Sequence, residues 1–571
     1  MFASLPKHHT EFMHCSWEQL EPFFTELSLR SLDSSNVEAW LRDWSRLGEI
    51  IHDIFWRLYV GITVDTTDSQ AEARYQRFLE QVYPQAQAAE QQLKEKLLAS
   101  GLEPAGFATP LKNMRTEAEI FRPANLPLLS KELKLSSEYD RLIGAQTVAW
   151  DGEEVTLTEL QKVYQAPDRE QRQHAWQLAA QRQLADRRAI DALWIELMQV
   201  RGKLAENAGF SNYRDYRWKQ LLRLDYTPAD CARFHQAIEQ VAVPAALRLY
   251  KRRRHKLGLD ALRPWDLNVD VWGLPALRPF KQVEELERKV AAIFQRIDPA
   301  LGEHFEVMRR ERLLDLDNRK GKAPGGYCTE FLVERRPYIF MNAVGIHEDV
   351  LTLLHEGGHA FHIFEAAHLP YVQQFQYSME FGEVASTSME LLSFPYLTSD
   401  QGGFYSTWDA ARACIEYLEA LLLFWPYMAV VDAFQHWVYE NHSLASDPAH
   451  CDAHWDELWQ RFMPGVDWSG LDAERLTGWQ RKLHILQAPF YYVEYGLAQL
   501  GALQVWRNAR QDQAAAIAAY RQALALGGTV SIPELYAAAG ICFGFDVPAV
   551  QLGVDLIESA IHELETIVES A

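Results

Sequence analysis

The sequence predicts a mostly α-helical protein with two lobes and one small β-sheet. Three observations carry that expectation. Apolar residues recur at helical spacing along most of the chain. Capping patterns stand in front of several of those periodic runs. Strand-like alternation is confined to two stretches, 147–157 and 314–342. With 571 residues, 48% of them hydrophobic, the chain can bury a large core and fill two lobes. No long linker marks a boundary, so the division is placed near 190, with an N-terminal helical lobe over 1–190 and a second domain over 191–571.

In chain order, Ser35-Asn36-Val37-Glu38 reads as a capping box, with Trp40, Trp44, Leu47, Ile51, Phe55 and Leu58 as the buried stripe behind it. Ser69 to Glu72 gives a second capping box. The run 85–98, rich in Gln, Ala, Glu and Lys, is a strong helix former. Over 147–157 the residues alternate around an Asp151-Gly152 turn, the mark of a small hairpin. Helix resumes at Thr158 and runs to about Lys203, until Ala208-Gly209-Phe210 breaks it. Another segment starts at Asn212. Thr227-Pro228-Ala229-Asp230 is a helix start, with an N-cap, a Pro in the first turn and an acid near the dipole. The basic run 251–256 ends that helix and reads as a solvated last turn. Residues 263–280, rich in Pro and Trp, are irregular. Asp315-Leu316-Asp317 leads into a loop from Lys320 through Pro324 to Gly326. Residues 327–333 and 337–342 then read as two short strands. The second is expected at a sheet edge, where an extended peptide could add by main-chain hydrogen bonds; an ordinary edge shielded by a loop is the alternative.

The chain then reaches its most informative stretch, LTLLHEGGHAFH at 351–362. His355-Glu356-Gly357-Gly358-His359 is the H-E-x-x-H pattern. On a helix its two histidines are i and i+4, so both imidazoles leave one face about a turn apart. That spacing suits two corners of a tetrahedral Zn²⁺ site. Glu356 points aside from the pair, close enough to act as a base on a water activated by the metal. The motif lies in an apolar helix, where two unpaired histidines and a glutamate would be costly to bury. Two mid-helix glycines cost on the order of 1 kcal/mol each against Ala, so the backbone there is expected to be approached closely by another element or by a substrate.

Further on, Glu383 and Glu390 are i and i+7 on the helix face that also carries Phe381, Val384 and Leu391. Glu383 as a third ligand would give a His₂Glu site with its fourth position open, the catalytic arrangement. Glu390 would then orient a ligand histidine. The alternative is two ordinary surface acids. His362 reads as a neighbour of the site. In the tail, His484 and Tyr491, Tyr492 and Tyr495 open a helix expected to run to about Arg507. They could donate to a developing oxyanion, or they could be aromatic core with one exposed histidine.

Composition narrows the partners. Net charge is −22, from 78 acidic against 56 basic residues, which argues against nucleic acid or an anionic membrane. Cys15, Cys231, Cys328, Cys414, Cys451 and Cys542 are scattered with no C-x-x-C pair, as in a reducing compartment. The N-terminus has no apolar signal core. The longest apolar run, 420–431, is too short to span a bilayer and contains Pro426. The expectation is a soluble cytoplasmic protein.

Several segments together resemble the thimet oligopeptidase family of zinc metallopeptidases, most closely its oligoendopeptidase F branch. They are Lys322…Gly325-Gly326-Tyr327, Pro337…Asn342, Asp349-Val350…His355-Glu356-Gly357-Gly358-His359-Ala360-Phe361-His362, and Phe381-Gly382-Glu383…Ser386…Glu390. The tail adds His484…Pro489-Phe490-Tyr491-Tyr492…Tyr495, and a weaker match runs from Arg201 to Tyr216. The resemblance covers roughly 190–571. It implies a helical clamshell with the metal at the base of a deep channel, and makes 191–571 the catalytic domain. It implies that His355, His359 and Glu383 bind one Zn²⁺ per chain, that Glu356 is the general base, and that His484, Tyr492 and Tyr495 contact substrate and transition state. Whether Tyr491 or Tyr492 faces the metal stays open.

The implied activity is a zinc-dependent oligoendopeptidase that hydrolyses internal bonds of short unstructured peptides. An exopeptidase would need a cation for a free carboxylate, and the sequence locates none. A peptide-binding scaffold with a structural zinc would want a fourth protein ligand, usually Cys, and only Cys328 lies near the motif. The sequence leaves the oligomeric state open.

Overall fold

Helices carry most of the chain, as the periodicity predicts, in the computed structural model, which describes residues 2, 5–157, 159–319, 321–323 and 325–569. Thr158, Lys320 and Pro324 lie outside the described residues. The chain forms two compact units, each threaded from three separate segments. One takes Met1–Glu119, Arg278–Ala410 and Gly501–Phe543; the other takes Ile120–Leu277, Ala411–Leu500 and Gly544–Ala571. Residue 190 lies within helix Arg187–Ala208 of the second unit.

In the first unit, helix Val37–Val64 buries Trp40, Trp44, Leu47 and Leu58, with Ile51 and Phe55 packed beside them. It starts later than its expected capping box, because Ser35 donates to the Asp33 carboxylate instead of capping the helix. The helix Ser69–Gln81 is capped one residue early, by Asp68, whose carboxylate accepts from Gln70 N and Ala71 N. In the second unit the hairpin pairs Thr147–Trp150 with Glu153–Thr156, turning at Asp151 and Gly152 with φ of 50° and 86°. The helix expected from 158 to 203 is three helices, Gln161–Tyr164, Arg169–Ala185 and Arg187–Ala208, interrupted at the helix-capping Asp168 and at Asp186. The helix Pro228–Lys256 begins with the expected Thr227 and Asp230 capping box. Its basic end is engaged rather than simply solvated: Arg252 pairs with Glu419 and Glu565, Lys256 with Glu565, and Arg253 donates to the carbonyls of Asp266 and Val269.

The apolar run around Pro426 lies inside a 34-residue helix, Thr407–Glu440. That helix is long and apolar enough to cross a membrane by length and composition, but 67% of its apolar window is buried inside the protein. It is therefore read as a core helix.

The sheet beside the motif departs most from expectation. It has three strands, Leu314–Asp317, Tyr327–Phe331 and Arg336–Ala343. Arg336–Ala343 is central, parallel to Leu314–Asp317 and antiparallel to Tyr327–Phe331, so it is not an edge open to a peptide. The acidic run Leu314–Asp317, expected as a lead-in, is held as a strand by Lys322. The Lys322 Nζ donates to Asp315 Oδ1 at 2.9 Å and to the carbonyls of Asp315, Asp317 and Met341.

Candidate metal centre

The motif helix is His347–Ala366, entered directly from the central strand. Asp349 Oδ2 accepts the N–H groups of Val344, Gly345 and Ile346 at 2.7–2.9 Å, which fixes that turn and caps the helix. The helix lies against Met379–Leu392, every residue of which is buried save Met379. Gly358 makes the approach possible. A Cβ there would stand 2.5 Å from Ala385 O and 2.8 Å from Ala385 C. At Gly357 a Cβ would run into the Phe294 ring. The two glycines thus answer to two neighbours, one a backbone and one a side chain. Tyr520 pins the facing helix by donating its hydroxyl to Ala385 O at 2.9 Å.

This contact brings the expected ligands together. One nitrogen each of His355 and His359 and one carboxylate oxygen of Glu383 lie within 4.8 Å of one another. The Glu383 Oε2 is 3.3 Å from His355 Nε2 and 3.7 Å from His359 Nε2. Two ligand atoms at zinc distances and a tetrahedral angle stand roughly 3.3–3.6 Å apart, so the donor set fits the ion. Glu390 Oε1 lies 2.8 Å from His355 Nδ1. That hydrogen bond leaves Nε2 as the nitrogen facing Glu383. Ser386 Oγ donates to Glu383 O at 3.0 Å and to Oε2 at 3.3 Å, and so steadies the carboxylate.

The electrostatics agree with a site that needs a cation. Burial works to lower His355, but hydrogen bonds with Glu383 and Glu390 win and hold it well above its ordinary value. Burial takes His359 down to about 4. It pushes Glu356 up to about 7, with the nearby Glu383 and Glu390 carboxylates adding to the rise while His355 and a backbone hydrogen bond from Cys328 oppose it. The strand Tyr327–Phe331 is thus next to the candidate base. The Cys328 thiol is pushed far above its usual range by burial and by Glu356. His362 stacks on Tyr377 with centroids 3.7 Å apart, and burial takes it to about 3. It is a neighbour, as its position suggested.

The tail residues belong to the other unit and form a cluster of their own. His484 lies on the short helix Leu483–Leu486, and the long helix starts only at Val493, reaching Gln511. Phe490, at a φ of 68°, breaks the single helix expected from the sequence. The His484 ring is 4.9 Å from Tyr492, 5.7 Å from Tyr495 and 5.9 Å from Tyr491, centroid to centroid. Tyr492 is buried, with Lys482 Nζ 4.0 Å over its ring, whereas Tyr491 and Tyr495 are half-buried. Sequence reasoning gave no role to Ser386, although it stands one turn from Glu383. It missed Phe294 and Tyr520, whose places depend on distant segments.

A helical fold that sets an H-E-x-x-H helix against an acid-bearing helix is that of a metal-site protein, and the comparisons place it. The chain belongs to Peptidase family M3, whose model matches residues 163–549. Group B oligopeptidase PepB of Streptococcus agalactiae serotype III (strain NEM316) is 28% identical over 149 residues, 26% of this chain and 24% of that protein. The alignment therefore spans about a quarter of the relative's length. Solved structures align throughout. PZ peptidase A with an inhibitor superposes with a TM-score of 0.88 at 28% identity, covering 99% of both chains. A protein provisionally named oligoendopeptidase F gives 0.89 at 28% identity, covering 100% of this chain and 99% of the other.

Proposed function

We propose that this chain is a zinc-dependent oligoendopeptidase that hydrolyses internal bonds of short, unstructured peptides in the cytoplasm. The observation that carries the reading is the convergence of His355, His359 and Glu383 to within 4.8 Å, with Glu356 on the same helix as the two histidines. Those three residues would hold one Zn²⁺. The ion, when bound, supplies Lewis acidity to water and to the scissile carbonyl. Glu390 fixes the His355 tautomer, and Ser386 the Glu383 carboxylate. Glu356 takes a proton from the attacking water and returns it to the leaving amine, and a carboxylate tuned toward neutrality suits both transfers. His484, Tyr492 and Tyr495 are assigned the contacts to substrate and oxyanion on the family resemblance.

The test is Glu356→Gln, assayed with an internally quenched peptide after zinc content has been measured. The variant should keep its zinc and lose most of its turnover. Parent-like cleavage by the fully loaded variant would refute the assignment. Cleavage of a stable folded protein as readily as of its fragments would refute the size restriction.

A further inference from the structure

A second group of ligand-type side chains lies entirely within the other unit. Cys231 and His235 stand one turn apart on Pro228–Lys256, and Asp432 and His436 one turn apart on Thr407–Glu440. Two helices thus face each other with C-x-x-x-H and D-x-x-x-H, the kind of placement from which metal sites in helix bundles are built. Cys231 Sγ, an Asp432 carboxylate oxygen and a His436 ring nitrogen lie within 4.8 Å of one another. Cys231 and Asp432 are both 0% exposed.

The contacts printed for Asp432 leave part of its acceptor capacity open. His235 Nε2 is 2.8 Å from Asp432 Oδ2, a good hydrogen bond. His436 Nε2 is 3.3 Å from the same oxygen, an ion pair when the ring is protonated. Asp432 Oδ1, fully buried, has no hydrogen-bond partner. Two histidines already face Oδ2, and a cation would serve the buried oxygen left without a partner. The 3.3 Å separation equals that between His355 Nε2 and Glu383 Oε2. It is the spacing expected of two atoms that share a tetrahedral ion at about 2.0 Å.

We propose that Cys231, Asp432 and His436 bind a second divalent metal ion of the zinc class, with His235 orienting the Asp432 carboxylate. One thiolate, one carboxylate and one imidazole select a borderline-soft ion such as Zn²⁺ over Mg²⁺ or Ca²⁺. Because its ligands come from two helices, the ion ties Pro228–Lys256 to Thr407–Glu440, separately from the H-E-x-x-H centre.

The two centres differ in one usable way, since only this one contains a cysteine ligand. The experiment uses the full-length His359→Ala variant, in which the first centre is crippled. The protein is stripped with a chelator and titrated with Co²⁺. It should take up about one equivalent with a thiolate-to-cobalt charge-transfer band in the near ultraviolet, erased by Zn²⁺. Adding Cys231→Ser should abolish the band. Adding His436→Gln instead should weaken Co²⁺ binding at least about 10-fold, which keeps the test decisive should the serine variant fold poorly. Absence of the band from the His359→Ala protein overturns the proposal. So does a band that survives Cys231→Ser, which would place the thiolate elsewhere, or parent-like affinity in the His436→Gln variant. None of these outcomes depends on peptidase activity.

Discussion

Gly358→Ala should strip the metal from the H-E-x-x-H centre without unfolding the protein. The added methyl would stand 2.5 Å from Ala385 O, and ordinary contact begins near 3.4 Å. Its neighbour is helix backbone, further fixed by the Tyr520 hydroxyl on that same oxygen, so no side-chain rotation relieves the clash. The two helices must part by about 0.9 Å, several times the ±0.2 Å that metal–ligand distances tolerate. Glu383 lies two residues before Ala385 and would move away from His355 and His359, which stay on the other helix. Zinc affinity should fall at least about 100-fold, since even loss of a residue that merely orients a ligand typically costs 10–100-fold. Overpacking should cost about 1–3 kcal/mol of stability, partly offset by the roughly 1 kcal/mol by which Ala outranks Gly in a helix. Gly357→Ala is the control. Its methyl meets the Phe294 ring, a side chain on Val283–Ile297 away from the ligands. It should lower the melting temperature while leaving zinc affinity within a few-fold of the parent. The assays are zinc per chain, competition with a chelator of known affinity, and melting of the metal-free proteins. Equal zinc affinity in Gly358→Ala and the parent would refute the claim that this glycine sets the ligand geometry.

Other perturbations follow from single contacts. Glu390→Gln removes the carboxylate from His355 Nδ1 and should weaken zinc about 10–100-fold in the same competition assay. Tyr495→Phe should lower kcat by about 10²–10³ with little change in KM or melting temperature; Tyr492→Phe, at a buried ring, should act less on kcat, and steady-state kinetics on the pair checks both. Asp53 is pushed up to about 6 by burial, against the Val333 N–H and Arg57 that favour its charge. The folded protein therefore holds more protons there than the unfolded chain, and stability should fall as pH rises from about 4 to about 6. Asp53→Asn should remove that part of the slope, read as the difference between urea midpoints of variant and parent across that window.

The candidate ligands were legible because helical geometry alone relates them and their support: i and i+4 place His355 with His359, and i and i+7 place Glu383 with Glu390, which bonds His355. What brings the two pairs together was legible only as a hint, the two glycines in mid-helix, which said that something comes close but not what. Ala385 and Phe294 are the answers, and they lie on opposite sides of the motif in sequence. The sheet was misjudged for a related reason. An alternating run such as PYIFMN says that a strand exists, while its place at the centre depends on partners on both sides, one of them the acidic Leu314–Asp317 that Lys322 and Arg319 neutralise. The tail shows the limit of periodicity. His484 to Tyr495 fits one helix by spacing, yet Phe490 at positive φ folds the segment back and gathers the histidine and three tyrosines into one cluster. Such gathering is a property of packing, as is the threading of each compact unit from three separate stretches. Patterns local to one helix therefore reveal chemistry readily. Patterns split between helices, such as Cys231 and His235 facing Asp432 and His436, become visible only once the fold has set the two helices side by side.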